Sequence, residues 1–277
     1  MNIKSKIAGS ALLILAVALV FSSCQKMERP PLGDYPKDAN PPGGPLKFFA
    51  AYDGGNVDSI RANFGVDNNV TFVDGISGKA MSAGADGYVS YSTANDFKKS
   101  SSFTIAFWMN KQGPNVAGAG AAFAFGLGST SGIWTQQEIF LLIEDAGQST
   151  ADSAAAKFYL NDQWFEFVGI KRLPKLLDGQ WHHLAFSFDQ TNSTLTTHLD
   201  GAPYTNLPAN FGKFNNNNGQ VNFAPLSGLV VGGPGHYAIG KTPDSWMANF
   251  NGQIDQFRLY STALSAAEIN ELFTTKK

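Results

Sequence analysis

The stretch that most constrains this chain runs from Asp178 to Gly201, DGQWHHLAFSFDQTNSTLTTHLDG. Trp181, His183, Ala185 and Ser187 alternate with His182, Leu184, Phe186 and Phe188. A period of two puts successive side chains on opposite faces, which is the mark of a β-strand. Asp189–Ser193 is a polar turn, built of residues that bond their own backbone or accept left-handed dihedrals. Thr194–Leu199 is β-branched and extended, and Asp200-Gly201 reverses the chain again. Two long antiparallel strands are therefore predicted, and any mainly helical fold would have to break both.

The rest of the chain has the same texture. Among 277 residues, 29 are Gly and 22 are Phe. Short apolar runs separated by glycine-rich turns predict an all-β sandwich. Strands are expected at Lys47–Tyr52, Val70–Val73, Ser102–Asn110, Ala121–Gly128, Glu138–Glu144, Leu229–Val231, Tyr237–Ile239 and Ile254–Tyr260. Within residues 74–91, Gly75, Gly78, Gly84 and Gly87 are expected to break the chain into short pieces. Phe158–Leu160 and Trp164–Ile170 should pair across Asn161–Gln163, and 202–228 is a long, asparagine-rich excursion. One helix has a clear start. Ser265 and Glu268 have capping-box spacing, and Leu264 and Ile269 that of a hydrophobic staple. Ile269, Leu272 and Phe273 share a face, so this helix should seal the sandwich edge.

Three segments carry a resemblance. DGQWHHLAFSFD followed by THLDG resembles the centre of laminin-G-like, concanavalin A-like jelly-roll modules. FNGQIDQFRLYSTALSAAEINELF (250–273) resembles their closing strand and short helix, and SFTIAFWMN (102–110) their early core strand. The resemblance covers most of residues 48–277. It implies a two-sheet antiparallel jelly-roll sandwich with a short C-terminal helix, occupying residues 46–277. Such modules bind carbohydrate or protein, some hydrolyse polysaccharides, and many hold one calcium ion, so the fold alone does not choose an activity.

The N-terminus has a different character. Lys4 and Lys6 precede an apolar run, Ala11–Phe21, then Ser22, Ser23 and Cys24. That is the layout of a signal peptide over 1–23, and the run falls short of the roughly 20 apolar residues of a membrane span. Cys24 is the only cysteine, so no disulfide can form within the chain. Its place resembles the lipidation site of exported Bacteroidetes-type lipoproteins; ordinary secretion with an incidental cysteine is the other reading. A lipid there anchors the chain to a membrane without spanning it, at the cell envelope and on the outer membrane. Residues 24–45 are rich in proline (Pro30, Pro31, Pro36, Pro41, Pro42, Pro45) and read as a tether. With 20 Lys+Arg against 22 Asp+Glu, the formal net charge is −2. No basic patch with interleaved aromatics occurs, which argues against a nucleic-acid partner.

Catalysis finds little support. A retaining glycosidase needs two carboxyl groups about 5–5.5 Å apart. The resemblance implies an E-x-D-x-x-E strand for that purpose, and this chain lacks it. Glu138 and Glu144 are in phase on one strand but about 20 Å apart at strand spacing; Glu166 could approach in space. His182 and His183 face opposite ways and cannot share a metal without a bulge, so they are expected to be structural, with one ring buried and hydrogen-bonded. Asp53, Asp58 and Asp255 fall in the first turn and last strand, whose ends adjoin in the resembled fold. They are calcium-ligand candidates, or else simple turn and edge aspartates. Trp108 and Trp181 sit in core-like strands. Trp134, Trp164, Tyr237 and Trp246 sit in polar contexts near Asn161, Gln163, Asn249 and Asn251, as a sugar platform requires. The expectation is a non-catalytic, lipid-anchored envelope module that binds a glycan, with an envelope protein as the alternative partner.

Overall fold

The computed structural model describes residues 43–131 and 133–276. The signal peptide, Cys24 and most of the tether lie outside the described residues. The strands are β1 (Leu46–Ala50), β2 (Val57–Asp58), β3 (Asn63–Phe64), β4 (Val66–Asp74), β5 (Lys79–Tyr91), β6 (Phe103–Gln112), β7 (Ala121–Ser129) and β8 (Gln137–Ile143). There follow β9 (Ala156–Leu160), β10 (Gln163–Phe167), β11 (Asp178–Asp189), β12 (Thr194–Leu199), β13 (Ala202–Pro203), β14 (Leu226–Val231), β15 (Met247–Asn249) and β16 (Gly252–Tyr260). Helix α1 (Ala266–Thr275) comes last.

Hydrogen bonding links these strands into one curled sheet, in the order β10-β9-β8-β7-β14-β5-β16-β6-β11-β12-β13. The predicted pair Asp178–Leu199 is β11 and β12, in register from Leu184↔Leu199 to Asp189↔Thr194. β5 joins the two layers: Met81–Ala83 pair with β16, and Val89–Tyr91 pair with β14. The predicted breaks in 74–91 are thus not all breaks. Lys79–Tyr91 is one strand, and Gly84–Gly87 forms a bulge where β4 passes from Asn68↔Tyr88 to Val70↔Ala83. A Cβ on Gly87 would lie 2.7 Å from the Gly84 nitrogen, so the bulge closes only on glycine.

The layers meet through aromatic rings. Phe107 meets Phe125 edge-on at 5.7 Å, Phe158 stacks on Phe186 at 4.5 Å, and Phe125 meets Phe257 at 5.5 Å. All are fully buried, and such pairs add about 0.5–1.5 kcal/mol each beyond their area burial.

The capping box on α1 is present, with the Ser265 side chain accepting from the Glu268 N–H and the Glu268 carboxylate accepting from the Ser265 N–H. The helix covers a sheet face and not the edge. Ile269 packs with Ala106 of β6 and Ala185 of β11, and Phe273 stacks on Trp108 at 5.4 Å. One strand expectation needs correction. Tyr237–Ile239 belongs to a 3-10 turn, Gly235–Ile239, because Pro234 and Gly235 start a tight turn that closes on left-handed Gly240. The parallel pairing of β15 with β7 was not foreseen; three residues carry too little pattern to read.

Candidate functional site

Three of the four aromatic candidates converge. Trp164 is carried by β10, Trp134 by the loop between β7 and β8, and Trp246 by the segment entering β15. The Trp134 ring lies 6.2 Å from Trp164 at 29° and 6.3 Å from Trp246 at 41°. Trp134 is 57% exposed and Trp246 36%, while Trp164 is half-buried. Beneath them is a second apolar cluster on the far side of β7–β10 from the main core. It contains Phe123, Phe140, Leu142, Tyr159 and Met247. Trp164 stands edge-on to Phe140 and Tyr159, and Trp246 leans on Phe123. The result is an indole surface on a rigid base. Lys157 lies beside it, 5.8 Å from the Trp164 ring, and pairs with Glu144 at 2.8 Å and Glu166 at 3.2 Å.

Tyr237 does not join them. It stacks on Tyr88 at 4.0 Å and 3°, its hydroxyl donating to Asn249 Oδ1 at 3.3 Å. With Asn249 and Asn251 it lines a separate groove of about 670 Å³ between the bulge of β5 and the loops after β6 and before β16. Asn161 and Gln163 are structural. Asn161 donates to Glu138 and accepts from the Asn222 N–H, and Gln163 bonds the backbone of Lys213 and Asn215. These contacts pin the asparagine-rich excursion to the β9–β10 turn.

The aspartate candidates separate in a similar way. Asp58 is fully committed: its carboxylate accepts the N–H groups of Phe49, Ile60 and Arg61 and the Asn95 amide at 2.7–3.2 Å. Asp53 and Asp255 both reach the turn that joins β4 to β5. Asp53 accepts from the Lys79 N–H at 2.7 Å, and Asp255 Oδ2 from Ile76 and Ser77 at 2.9 and 3.3 Å. Asp255 Oδ1 is buried without a partner among the described residues. Burial pushes the Asp255 carboxyl up to about 6, against the backbone donors and with help from the Asp53 charge. An orphaned buried oxygen beside a second carboxylate fits a hard cation, although no three His, Cys, Asp or Glu side chains cluster among the described residues.

The family Laminin_G_3, described as the Concanavalin A-like lectin/glucanases superfamily, matches residues 83–270. The chain belongs to that superfamily. Domain 4 of AbnA, a GH43 extracellular arabinanase from Geobacillus stearothermophilus solved with arabinotriose, superposes with a TM-score of 0.54 at 18% identity, covering 82% of this chain and 97% of that one. The binding domain of Paraclostridial Mosquitocidal Protein 1 superposes at 0.55 and 16% identity, over 83% of this chain and 52% of that one. Trypanosoma rangeli sialidase with sialic acid gives 0.57 and 13%, over 84% and 33%. At these identities the likeness is one of fold. No curated protein matches the chain in sequence.

Within this concanavalin A-like domain one ring of the histidine pair is buried and hydrogen-bonded, as expected. His182 is the hydrogen-bonded ring, to Asp200 at 2.9 Å and Asp178 at 3.1 Å, and those bonds, Asp200 first, raise its pKa. His183 is the fully buried one. Under Trp108 and Phe273 neither of its nitrogens finds a partner among the described residues, and burial pushes it down to about 3. It is neutral packing, as its place between β6 and α1 requires. Trp108 is buried as foreseen, whereas Trp181 is half-buried. Sequence reasoning missed Lys111, which is buried in the wall of the groove. Its signal was a lone lysine continuing the apolar strand FTIAFWM.

Proposed function

We propose that this domain is a non-catalytic glycan-binding module whose platform is Trp134, Trp164 and Trp246. The convergence of three indoles on one outer face carries the reading. Sugar rings stack on flat aromatic faces, and an exposed apolar patch on a rigid base marks an interaction site. Domain 4 of AbnA, which has a similar fold along 97% of its length and is in complex with arabinotriose, supports the ligand class.

The acids nearest the platform support a binding role. Glu144 and Glu166 share one ammonium, Lys157. A retaining glycosidase needs one carboxyl as nucleophile and the other as acid, whereas these two are both engaged by the same lysine. The test is a panel of polysaccharides, read for binding by affinity electrophoresis and for cleavage by release of reducing ends. Retarded migration without new reducing ends is expected. Release of reducing ends that Glu144→Gln or Glu166→Gln abolishes would make the domain an enzyme. A protein partner is the second reading. Phe64 and Val66, each 72% exposed on β3 and β4, favour it.

A calcium ion held by Asp53 and Asp255 belongs to the same proposal. Without the ion the folded domain holds a proton on Asp255 up to about pH 6, whereas an unfolded aspartate loses it near 4. The folded state then binds more protons, so stability falls as pH rises through that window and stays lower above it. Added calcium is expected to raise the melting temperature by several degrees at pH 7.5 and hardly at pH 4.5, where protons compete. Asp255→Asn should abolish both the pH slope and the calcium response. A melting temperature indifferent to calcium and chelator at pH 7.5 removes the ion from the proposal.

Lipid anchoring at Cys24, on the outer membrane of a Bacteroidetes-type cell, completes it. The full chain expressed in such a host should partition into Triton X-114 detergent and incorporate labelled palmitate. Cys24→Ser should move it to the aqueous phase. Equal partitioning of the two would leave ordinary secretion.

A further inference from the structure

The groove walled by Tyr237 holds a cation that no acid among the described residues pairs with, its ammonium lying 5.6 Å from the Phe250 ring. Lys111, at the end of β6, is 3% exposed. Among the described residues it has no ion-pair partner. Its ammonium donates to the Asn251 carbonyl at 3.0 Å and to Asn115 Oδ1 at 3.3 Å. An ammonium has three donors, and the third finds no acceptor among the described residues. Burial alone draws its pKa down to about 8, so it is still a cation at neutral pH. A buried cation that lacks an acid is costly, and at this position the wall of an open cleft is within reach. The same wall presents Tyr237, backed on one side by Tyr88, and the amides of Asn249 and Asn251. The groove's carboxylate, Asp86, is exposed at its rim, where water weakens its charge relative to that of Lys111.

From this juxtaposition we infer that the groove is a second ligand site, distinct from the indole platform, and that it binds a carboxylated sugar such as a hexuronate. The sugar carboxylate takes the third N–H of Lys111, its hydroxyls meet the asparagine amides, and its apolar face rests toward Tyr237. Small-molecule sites commonly combine these parts: a cleft of a few hundred Å³, an aromatic wall and a few fixed polar groups around one charge. Lys111 also ties the loop at Asn115 to the segment at Asn251, which would be its whole role if the groove bound nothing.

Titration calorimetry with glucuronate, glucose and a galacturonate trimer separates the two roles. The wild-type domain should bind glucuronate and the trimer and give no heat with glucose at the same concentration. Lys111→Met, of similar length but uncharged, should keep its melting temperature and lose about ten- to a hundredfold in affinity for the uronates, the worth of one charge-assisted hydrogen bond. If Lys111→Met does not fold, Ala119→Trp serves, because it fills the groove from an exposed position. Trp134→Ala should leave uronate binding unchanged. The inference is overturned if wild type takes up no uronate at millimolar concentration, if glucose binds equally well, or if the folded Lys111→Met or Ala119→Trp variant binds as wild type does.

Discussion

Replacing Trp134 and Trp246 together by alanine is expected to lower glycan affinity about thirtyfold or more while the domain still folds. Trp134 is 57% exposed and Trp246 36%, and neither belongs to the main core cluster, so the fold should survive their loss. Stacking of a nucleobase on one aromatic face is worth about 1–3 kcal/mol; with a similar worth for a sugar ring, two lost faces compound to the stated factor. Trp164→Ala should behave differently. It removes the ring wedged against Phe140 and Tyr159, so it should cost about 2–4 kcal/mol of stability as well as affinity. Calorimetry with whichever polysaccharide binds wild type, paired with a thermal melt of each variant, gives both quantities. Unaltered affinity in the folded double variant would place the glycan elsewhere.

The largest stability effect is expected at Asp58. Asp58→Ala strips the acceptor from the Phe49 N–H in β1, the Ile60 and Arg61 N–H groups after β2 and the Asn95 amide. Each buried donor left without a partner costs about 1–3 kcal/mol. Allowing for water entering the site, a loss of about 3–5 kcal/mol is expected in chemical denaturation, at the upper end of what one substitution does. Asp58→Asn keeps one acceptor oxygen and should lose about half as much. The deficit should be the same with calcium or with chelator, because Asp58 has no oxygen to spare for a cation. A deficit that appears only in calcium would return Asp58 to the group of metal ligands.

These two cases show what was legible in the chain and what was not. The β11–β12 pair, the β6 core strand and the capped helix followed from period-two alternation and from the Ser265–Glu268 spacing, both local rules. The indoles could be picked out one by one, because tryptophan in a polar context is a local signal too. Their meeting could not. It depends on β15, three residues long, running parallel to β7 and so delivering Trp246 beside Trp134. Tyr237 was grouped with them on its surroundings in sequence, but the 3-10 turn carries it to Tyr88 instead. Asp58 looked like a possible ligand because an aspartate's type says nothing of who already occupies its oxygens. Lys111 escapes a local reading because a lysine in a strand is ordinarily a solvated end, and only burial reveals otherwise.

The shared strand β5 has a mechanical consequence. Its first residues are zipped to β16 and its last to β14, so neither half of the sheet can peel away without tearing hydrogen bonds from the other. Under load the two layers should therefore open together, because each is hydrogen-bonded to the same strand.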